Sequence, residues 1–303
     1  QVADANVHET MSHLYGAHFA MEPVAVATGR YLPERHPVRR LLIPHLKFLM
    51  FNNDLGKARL VNPGGFVDQL LASSLAGSLE LVKRAATAFN FTAGSFNSDI
   101  AARGMDKLPH YPYRDDGRLL WDAIGTYVTA CLVKAYPNQA ALDADVALQR
   151  WWSALTSEAR IAGIPAHREV TELGFILQRV IFTGGPYHAA VNFPQYECMA
   201  FSPNQPLAAY AEPGDSLLRT LPPYRQAIEQ LKIMEILTSY RHDALGQYAE
   251  EDRARLVAYE RSRLTVFQTE LAAAEQTIIA RNKKRRCPYE YLQPSLVPNS
   301  TSV

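Results

Sequence analysis

Two histidines, His13 and His18, lie five residues apart in a stretch, residues 8–30, that is otherwise typical of a helix. Helices that bind a metal ion through two histidines usually place them four residues apart, on one face. Five residues correspond to about 500° of rotation, so the two rings would point roughly 140° apart in a regular α-helix. Both rings can reach one ion only if the helix widens locally, as a π-helical turn does. The sequence therefore predicts a π-type widening between the two histidines.

The composition describes a chain that can bury a large core. Its 303 residues are 48% apolar and 20% charged, enough for one large domain or two smaller ones. The formal net charge of +1 gives no strong field that would favour nucleic acid. Three cysteines without paired spacing are typical of reduced thiols in a cytoplasmic protein. No apolar run approaches the ~18 residues of a membrane span, and no signal peptide is visible. We expect a cytoplasmic monomer, with transient contact to a membrane surface left open.

Helical patterns dominate, so we expect a mainly α fold with few short strands. Along residues 250–282, apolar side chains recur at alternating spacings of three and four, the period of one buried helix face. These side chains are Leu264, Phe267, Leu271, Ala274 and Ile278. Loops are expected at 92–116, rich in Gly, Asn, Asp and Pro, and at 197–223, rich in Pro. The predicted helices span 8–30, 36–60, 66–90, 117–136, 141–162, 168–182, 223–245 and 250–282.

Two proline-containing sites should interrupt these helices. Pro23 lies inside the first helix, where its missing N–H predicts a kink or break. The run Thr183-Gly-Gly-Pro186 should interrupt the apolar helix 168–182, after which the chain resumes as a helix through His188 and Asn192. Because these last two residues are four apart, one regular helical turn presents both to the same point.

Five donors of different kinds form the predicted metal site: His13, His18, His188, Asn192 and the α-carboxylate of Val303. Imidazole suits iron, copper, nickel or zinc, whereas a carboxylate is a hard anionic donor and an amide oxygen a weak neutral one. No internal residue can copy a terminal carboxylate. Two histidines on a helix are, taken alone, more often ordinary polar residues. The other three donors are what favour a metal site.

Six separated segments, in this order, carry a resemblance to a known family. They are His8-Glu-Thr-Met-Ser-His13-x4-His18, Met21-Glu22-Pro23-x3-Ala27-Thr28-x-Arg30, His36-Pro37-x3-Leu41-Leu42-x-Pro44-His45, His188-Ala-Ala-Val-Asn192-Phe-x-Gln195-Tyr196, Pro288-Tyr289-x-Tyr291-Leu292-x-Pro294-Ser295 and Pro298-Asn-Ser-x-Ser-Val303. Together they resemble the C-terminal part of a lipoxygenase catalytic domain. The resemblance implies a multi-helix domain over residues 1–303, with long central helices around a non-haem iron. The domain is expected to be partial at its N-terminus and to lack the family's N-terminal β-barrel.

The resemblance also implies the metal. In the family, the residues matching the five predicted ligands bind one iron that cycles between Fe2+ and Fe3+. Manganese fits the same ligands and is the less favoured alternative. The family usually ends in isoleucine; this chain ends in valine, which keeps the carboxylate. His8 is expected either to support the metal ligands or to be structural, and His36 and His45 are expected to be structural.

The family's reaction is dioxygenation of a polyunsaturated fatty acid that holds a cis,cis-pentadiene, such as linoleate or linolenate. A ferric hydroxide takes a hydrogen atom from the bis-allylic carbon, and dioxygen adds to the opposite face to give a hydroperoxide. The resemblance assigns no catalytic group beyond the iron-bound hydroxide. Gln195 should hydrogen-bond the amide of Asn192, and Glu9 stands where the family commonly has glutamine. That departure bears on redox tuning rather than on iron binding.

Substrate binding needs an apolar channel. By resemblance, Leu60 and Leu237 clamp the pentadiene and Ile233 lines the pocket. Leu70 and Leu71 match positions that set the depth of the channel. Each of these residues could equally be an ordinary core residue.

Gly56 lies inside an apparent helix, where glycine costs about 1 kcal/mol relative to alanine. In the family this position is alanine in most S-specific enzymes and glycine in R-specific ones, because the missing methyl opens space for oxygen. We therefore expect R-configured hydroperoxides. The alternative is a glycine that permits close helix packing.

Two other functions stay open from the sequence. One is a hydroperoxide isomerase, in which the same iron rearranges a fatty-acid hydroperoxide. The other is a non-catalytic lipid-binding fragment. The expected partners are a polyunsaturated fatty acid and dioxygen.

Overall fold

The computed structural model describes residues 4–212 and 214–301, which are mostly helical. The only β-pairing in these two ranges is an isolated antiparallel bridge between Ala244 and Pro298, so the predicted mainly α fold is confirmed. None of the described helices has the length and apolar character needed to cross a bilayer. The α-helices are α1 (Ala5–Val7), α2 (Glu22–Tyr31), α3 (Pro37–Leu46), α4 (Leu49–Arg59), α5 (Phe66–Leu70), α6 (Ser74–Ala88), α7 (Phe96–Ala102), α8 (Pro112–Ala135), α9 (Gln139–Asp143), α10 (Val146–Ser153), α11 (Val170–Phe182), α12 (His188–Asn192), α13 (Pro194–Met199), α14 (Leu217–Thr220), α15 (Tyr224–Ser239), α16 (Glu250–Arg255) and α17 (Ala258–Asn282). π-Helical segments span His8–His18, Ala154–Glu158 and Thr183–Tyr187, and 3-10 turns span Phe19–Met21, Met105–Lys107 and Pro294–Leu296.

The main core forms around α8, which packs against both α11 and α17. All five side chains of the predicted stripe on α17 are buried, so that prediction is confirmed. Tyr127 of α8 stacks on Phe267 of α17, with ring centroids 4.9 Å apart. Each large apolar side chain buried in this way contributes roughly 1.5–3 kcal/mol relative to exposure. The segments that carry the histidines are continuous with this core, because Ala20 and Met21 after His18, and Ala189 and Ala190 after His188, are buried in it.

A second, smaller apolar cluster lies beside the main core and involves α5, α13 and α15. Its larger buried members are Leu70, Leu71, Met199, Leu207, Ile233 and Met234. Leu60, which directly follows α4, and Leu237 of α15 pack against it. These residues come from parts of the sequence far apart, which only the tertiary fold brings together.

The chain from Ala5 to Tyr31 is helical throughout, but its hydrogen-bonding pattern changes along the way. His8–His18 is π-helical, so the predicted widening is confirmed. Phe19–Met21 then tightens into a 3-10 turn before α2 begins. The predicted break therefore falls directly before Pro23, which occupies the first turn of α2, where a proline needs no hydrogen-bond partner.

Tyr187, from the π-helical segment before α12, contacts the widened helix. Its hydroxyl donates a hydrogen bond to the carbonyl oxygen of Ser12 at 3.0 Å. Gly16 leaves room for the ring, because a Cβ there would lie 3.0 Å from the tyrosine hydroxyl oxygen. This contact holds a carbonyl group of the irregular helix in place.

Two predicted helices are each divided in two. The prediction of one helix over 36–60 is wrong: α3 and α4 are separated at Phe48, whose φ of 61° lies in the left-handed region. The prediction of one helix over 66–90 is also wrong, because the chain divides into α5 and α6 at 71–73. Ser74, the first residue of α6, has a φ of 54°. Propensity alone does not reveal such single-residue breaks.

Other boundaries also differ from the predictions. The predicted loop 92–116 contains α7, and α8 already begins at Pro112, because proline suits a first helical turn. Helix 141–162 divides into α9, α10 and a π-helical segment. Helix 223–245 ends at Ser239, and 250–282 divides into α16 and α17. The irregular segment 197–223 is confirmed after α13, apart from the four-residue α14.

The predicted interruption at 183–186 is wrong. Thr183–Tyr187 is a π-helical segment that joins α11 directly to α12. Its glycines allow close approach of other backbone: a Cβ at Gly185 would lie 2.9 Å from the carbonyl oxygen of Pro298, and one at Gly184 would lie 3.0 Å from that of His45. Glycine is needed here for space rather than for a turn.

The C-terminal segment is buried and hydrogen-bonded as far as Thr301. His45 donates from Nδ1 to the carbonyl oxygen of Asn299 at 2.8 Å, which agrees with its predicted structural role. Asn52 donates from its side-chain amide to the carbonyl oxygen of Thr301 at 3.0 Å. Val303, a predicted ligand, lies outside the described residues.

Gly185→Ala should lower the free energy of unfolding by about 1–3 kcal/mol, because the added methyl meets a backbone carbonyl that cannot rotate away. Gly174→Ala, on α11 of the same continuous helix, is the matched control, since its Cβ would meet only Leu132 at an ordinary 3.7 Å. Urea unfolding followed by circular dichroism measures both variants. Equal stabilities would contradict the close approach.

Candidate metal centre and pocket

Three histidine rings meet where the π-helix His8–His18 packs against α12. The Nε2 atoms of His13 and His18 lie 3.3 Å apart. One ligand atom from each of His13, His18 and His188 lies within 4.8 Å of the other two. The ring of His188 lies 4.9 Å from that of His18 and 5.5 Å from that of His13, measured between centroids. The widened helix therefore brings together rings that a regular helix would hold apart.

All three imidazoles are neutral near pH 7. Burial lowers the pKa of His13 to about 4. Burial, aided by the neighbouring His13, lowers the pKa of His18 to about 3. Burial and the two other rings hold the pKa of His188 well below its usual value. A neutral imidazole keeps one nitrogen lone pair, which is the form that binds a metal.

The donor set fits a metal ion. Both ring nitrogens of His188 are buried without a hydrogen-bond partner in the described part of the chain. A buried polar atom left in this way costs about 1–3 kcal/mol. A cation among the three rings would satisfy the lone pairs, and imidazole is a preferred ligand of iron, copper, nickel and zinc.

A chain of polar side chains orients the ring of His18 through its Nδ1 atom. The Nδ1 of His18 lies 2.9 Å from Oδ1 of Asn53, so the ring donates there and turns its Nε2 lone pair toward His13. Asn53 is buried and donates from Nδ2 to Glu22 at 2.9 Å. Lys57 donates to the same carboxylate at 2.7 Å. These contacts fix both the tautomer and the angle of one candidate ligand.

Glu9 and Gln195 flank Nδ1 of His13. A carboxylate oxygen of Glu9 lies 3.4 Å from it and Nε2 of Gln195 lies 3.0 Å from it. Gln195 also donates to Oδ1 of Asn192 at 3.3 Å, the contact expected between these two amides. Glu9 is largely buried, with 13% of its side chain exposed, and this burial raises its pKa to about 7.

Asn192 lies one turn after His188 on α12 and is fully buried. Its Nδ2 donates to the carbonyl oxygen of Leu237 at 2.6 Å. This hydrogen bond directs the amide nitrogen of Asn192 toward α15 and the amide oxygen away from it. An oxygen held in this way is the end of the amide that can bind a metal.

A space opens beside the histidines. Its cavity volume is about 110 Å³, and it is partly open to solvent. Apart from a few polar groups at the histidine side, the wall is apolar, and five buried residues of the second apolar cluster belong to it: Leu70, Leu71, Leu207, Ile233 and Met234. The lining residues are Glu9, His13, Leu14, His18, Asn52, Asn53, Gly56, Leu60, Val61, Phe66, Val67, Leu70, Leu71, Leu207, Ile233, Met234 and Leu237.

Gly56 faces this pocket from α4. A Cβ at this position would meet only a methyl carbon of Leu60, at 3.9 Å. Among residues 4–212 and 214–301, no neighbouring helix comes within 4 Å of this Cβ position, so close packing against them does not explain the glycine. Its effect is to leave open space in the pocket wall.

Comparison with known proteins shows to which family this architecture belongs. The lipoxygenase family model matches residues 1–291. The chain belongs to the lipoxygenase family. It is 34% identical to a linoleate 9/13-lipoxygenase of Pseudomonas aeruginosa, over 100% of this chain and 47% of that protein. It is 31% identical to a hydroperoxide isomerase of Homo sapiens, over 98% of this chain and 44% of that protein. The structure of a calcium-dependent 11R-lipoxygenase aligns with a TM-score of 0.93 at 31% identity, over 99% of this chain and 46% of that one.

This lipoxygenase chain thus spans about half the length of the relatives it matches. Family membership, and with it the resemblance read from the sequence, is shown by comparisons that cover nearly the whole chain. The predicted fold agrees with the solved structures.

The structure brings most of the predicted site residues to one place. Three predicted ligands cluster, and a fourth, Asn192, follows on the same helix; Val303 lies outside the described residues. All six predicted pocket residues line the space beside the cluster: Gly56, Leu60, Leu70, Leu71, Ile233 and Leu237.

The sequence did not predict that Asn53 and Glu22 support His18. It also did not predict several residues of the pocket wall, including Phe66, Leu207 and Met234. The pair Asn52-Asn53 inside α4 was an available signal, because asparagine is a poor helix former and needs another reason to be there.

Asn53→Ala should weaken the affinity for ferrous ion about 10- to 100-fold, because His18 loses the acceptor that orients it. Asn282→Ala removes another buried asparagine, which bonds the backbone of Tyr289 at the far end of α17, and should leave that affinity unchanged. Titration with ferrous ion under nitrogen, with bound metal measured by elemental analysis, compares the two. An unchanged affinity in the first variant would refute the orienting role.

Proposed function

We propose that residues 1–303 form the iron-binding portion of a lipoxygenase catalytic domain that oxygenates polyunsaturated fatty acids such as linoleate. The observation that carries this proposal is the cluster of three neutral histidines at one side of an apolar pocket. An apolar wall suits an acyl chain, and neutral nitrogen donors suit a redox-active metal. The linoleate 9/13-lipoxygenase among the relatives supports the substrate class.

The proposed ligands are His13, His18, His188, Asn192 and the carboxylate of Val303. We propose iron rather than manganese, because the residues that match these ligands bind iron in the family. When bound, the iron would supply the one-electron oxidant needed for removal of a hydrogen atom from a bis-allylic carbon. Gln195 and Asn53 keep the ligands in place by hydrogen bonding.

The pocket residues bind the acyl chain and shield it from water. Leu60, at the end of α4, and Leu237 of α15 contact the pentadiene, and the second apolar cluster contacts the rest of the acyl chain. Their apolar side chains exclude water, which protects a radical from side reactions. Gly56 leaves space in the wall where dioxygen reaches one end of the pentadiene, and we propose the R configuration for the product. The named 11R-lipoxygenase neighbour is in line with this proposal.

Hydroperoxide isomerase is the second candidate. A human relative at 31% identity carries that name, so the same fold and the same kind of site support rearrangement without net oxygen uptake. The two candidates differ in what they consume: a fatty acid with dioxygen, or a hydroperoxide alone.

The deciding experiment measures iron and turnover on the same preparation. We expect one iron per chain, and conjugated-diene absorbance with oxygen uptake when linoleate is added in air. His188→Gln should abolish both, whereas His36→Gln, a buried histidine bonded to Asp145 away from the cluster, should retain both. Loss of a hydroperoxide under nitrogen, with no diene formed from linoleate in air, would favour the isomerase. Iron without either activity would leave the lipid-binding alternative.

A single glycine added after Val303 should remove bound iron while leaving the fold intact, because the α-carboxylate would be displaced from the site. Elemental analysis and circular dichroism measure the two quantities. Adding the glycine before Gln1 is the control. Retention of iron by the C-terminally extended chain would exclude Val303 as a ligand.

Gly56→Ala should shift the product from mainly R toward S, because the added methyl occupies the open space near Leu60. Gly29→Ala, a helical glycine of α2 with no atom near its Cβ position, should leave the product unchanged. Chiral-phase chromatography of the hydroperoxides measures the ratio. A mainly S product that does not respond to the Gly56 substitution would contradict the assignment.

A further inference from the structure

One leucine of an irregular segment contributes to the pocket wall. Residues 200–212 follow α13 and contain no helix or strand. Within residues 203–212, which the structure describes in full, Leu207 alone is buried, and it lines the space beside the histidines. A segment outside helices and sheets has no regular backbone hydrogen bonds of its own to hold such a side chain in place. Contacts from neighbouring elements must therefore fix its position.

Gln230 of α15 supplies most of these contacts. Its side chain is buried, and its Nε2 donates to the carbonyl oxygens of Met199 at 2.5 Å and Gln205 at 2.9 Å. Its Oε1 accepts a longer hydrogen bond from the backbone N–H of Leu207, at 3.4 Å. Because two donors face two carbonyl oxygens and the amide oxygen faces an N–H, only one orientation of the amide satisfies all these contacts. One side chain thus binds three backbone groups of segment 199–207.

An amide at this buried position differs from its surroundings. Burying an amide is unfavourable unless it is fully hydrogen-bonded, so an apolar side chain would ordinarily be expected here. Ile233 and Met234, one turn further along α15, are buried in the second apolar cluster and line the pocket. Gln230 precedes them on the same face of the helix but does not itself line the pocket. It can therefore act on a bound acyl chain only through the segment that it holds.

The other side of Leu207 is held by the opposite part of the wall. Its carbonyl oxygen accepts a hydrogen bond from the backbone N–H of Ala72 at 3.4 Å. Ala72 lies at the break between α5 and α6 and directly follows the pocket residue Leu71. Leu207 is thus fixed between α15 and this break. Loss of the Gln230 contacts would free one side of it and let its side chain move out of the wall.

We propose that Gln230 is a positioning residue that holds Leu207 in the pocket wall and thereby limits the length of the acyl chain that binds. The inference deepens the proposed function and rests on it, because the ligand is taken to be a fatty acid. In an apolar pocket with a fixed wall, one methylene group changes the preference between two ligands by about 10-fold or more. A leucine held from two sides forms such a wall, whereas a leucine on a loose segment does not.

Binding of monounsaturated fatty acids tests the proposal without turnover. Oleate, and eicosenoate with two more carbons, have no bis-allylic carbon, and displacement of anilinonaphthalene sulfonate gives their Kd values. Gln230→Met keeps the size of the side chain and removes its hydrogen bonds. It should lower the ratio of the Kd for eicosenoate to the Kd for oleate by about threefold or more, and Leu207→Ala should lower it by about tenfold. Gln178→Met removes a hydrogen bond to the carbonyl oxygen of Trp121, outside the pocket, and should leave the ratio unchanged.

A double variant shows whether the two residues act together. The ratio for Gln230→Met combined with Leu207→Ala should equal the ratio for Leu207→Ala alone, because no leucine is left to position. Additive effects would overturn the proposal, and so would an equal loss of affinity for both acids in Gln230→Met, which a general loosening of the fold would produce. Circular dichroism checks folding. Gln230→Glu keeps an oxygen for the N–H of Leu207 and offers fewer donors, so it should lower the ratio with a smaller structural change.

Turnover separates this proposal from the proposed function. The ratio of kcat/KM for eicosadienoate to kcat/KM for linoleate, which is two carbons shorter, should rise in the Gln230 variants. A shifted binding ratio without oxygenation of linoleate by the unaltered chain would remove the proposed function and leave the role of Gln230 intact. Oxygenation of linoleate with unchanged ratios in both Gln230→Met and Gln230→Glu would overturn that role and leave the proposed function intact.

Discussion

The arrangement of the site depends on one local distortion, the π-helical hydrogen bonding of His8–His18. Without it, His13 and His18 would point to different sides of the helix. With it, their Nε2 atoms face each other at 3.3 Å in a buried position that keeps both rings neutral. A π-helix is less favourable than an α-helix, so neighbouring groups have to hold it. Tyr187 does so at Ser12, and Asn53 does so through the ring of His18.

The segment before α12 solves a related packing problem. His188 stands on a continuous helix whose π-helical part contains two glycines. Those glycines let the buried segment 298–301 run directly against the helix that carries a candidate ligand. His45 and Asn52 fix the same segment by hydrogen bonds to its carbonyl oxygens. Residues from the beginning, the middle and the end of the chain are thereby placed around one point.

The pocket has a different origin from the metal centre. Much of its apolar wall comes from the second apolar cluster, which is separate from the core around α8. A chain that packed all its apolar residues into one core would have no such space. The apolar wall and the neutral rings beside it are compatible, because neither requires a charged group to be buried until a metal is bound. The same separation leaves α15 free to project Tyr224 outward at its start and to line the pocket further along.

The sequence by itself determined the helical class, the buried stripe of α17 and the need for a widened helix. It also determined which three histidines, His13, His18 and His188, were predicted as ligands. These are local properties, set by periodicity and by the chemistry of residue types at fixed spacings. It could not place the breaks at Phe48 or at Ser74, because a single residue in the left-handed region depends on how the flanking helices pack. It also could not show that the Gly-Gly-Pro run continues a helix, or that Asn53 orients His18. Those features arise from contacts between residues distant in the chain, such as His45 with Asn299, which only the tertiary structure decides.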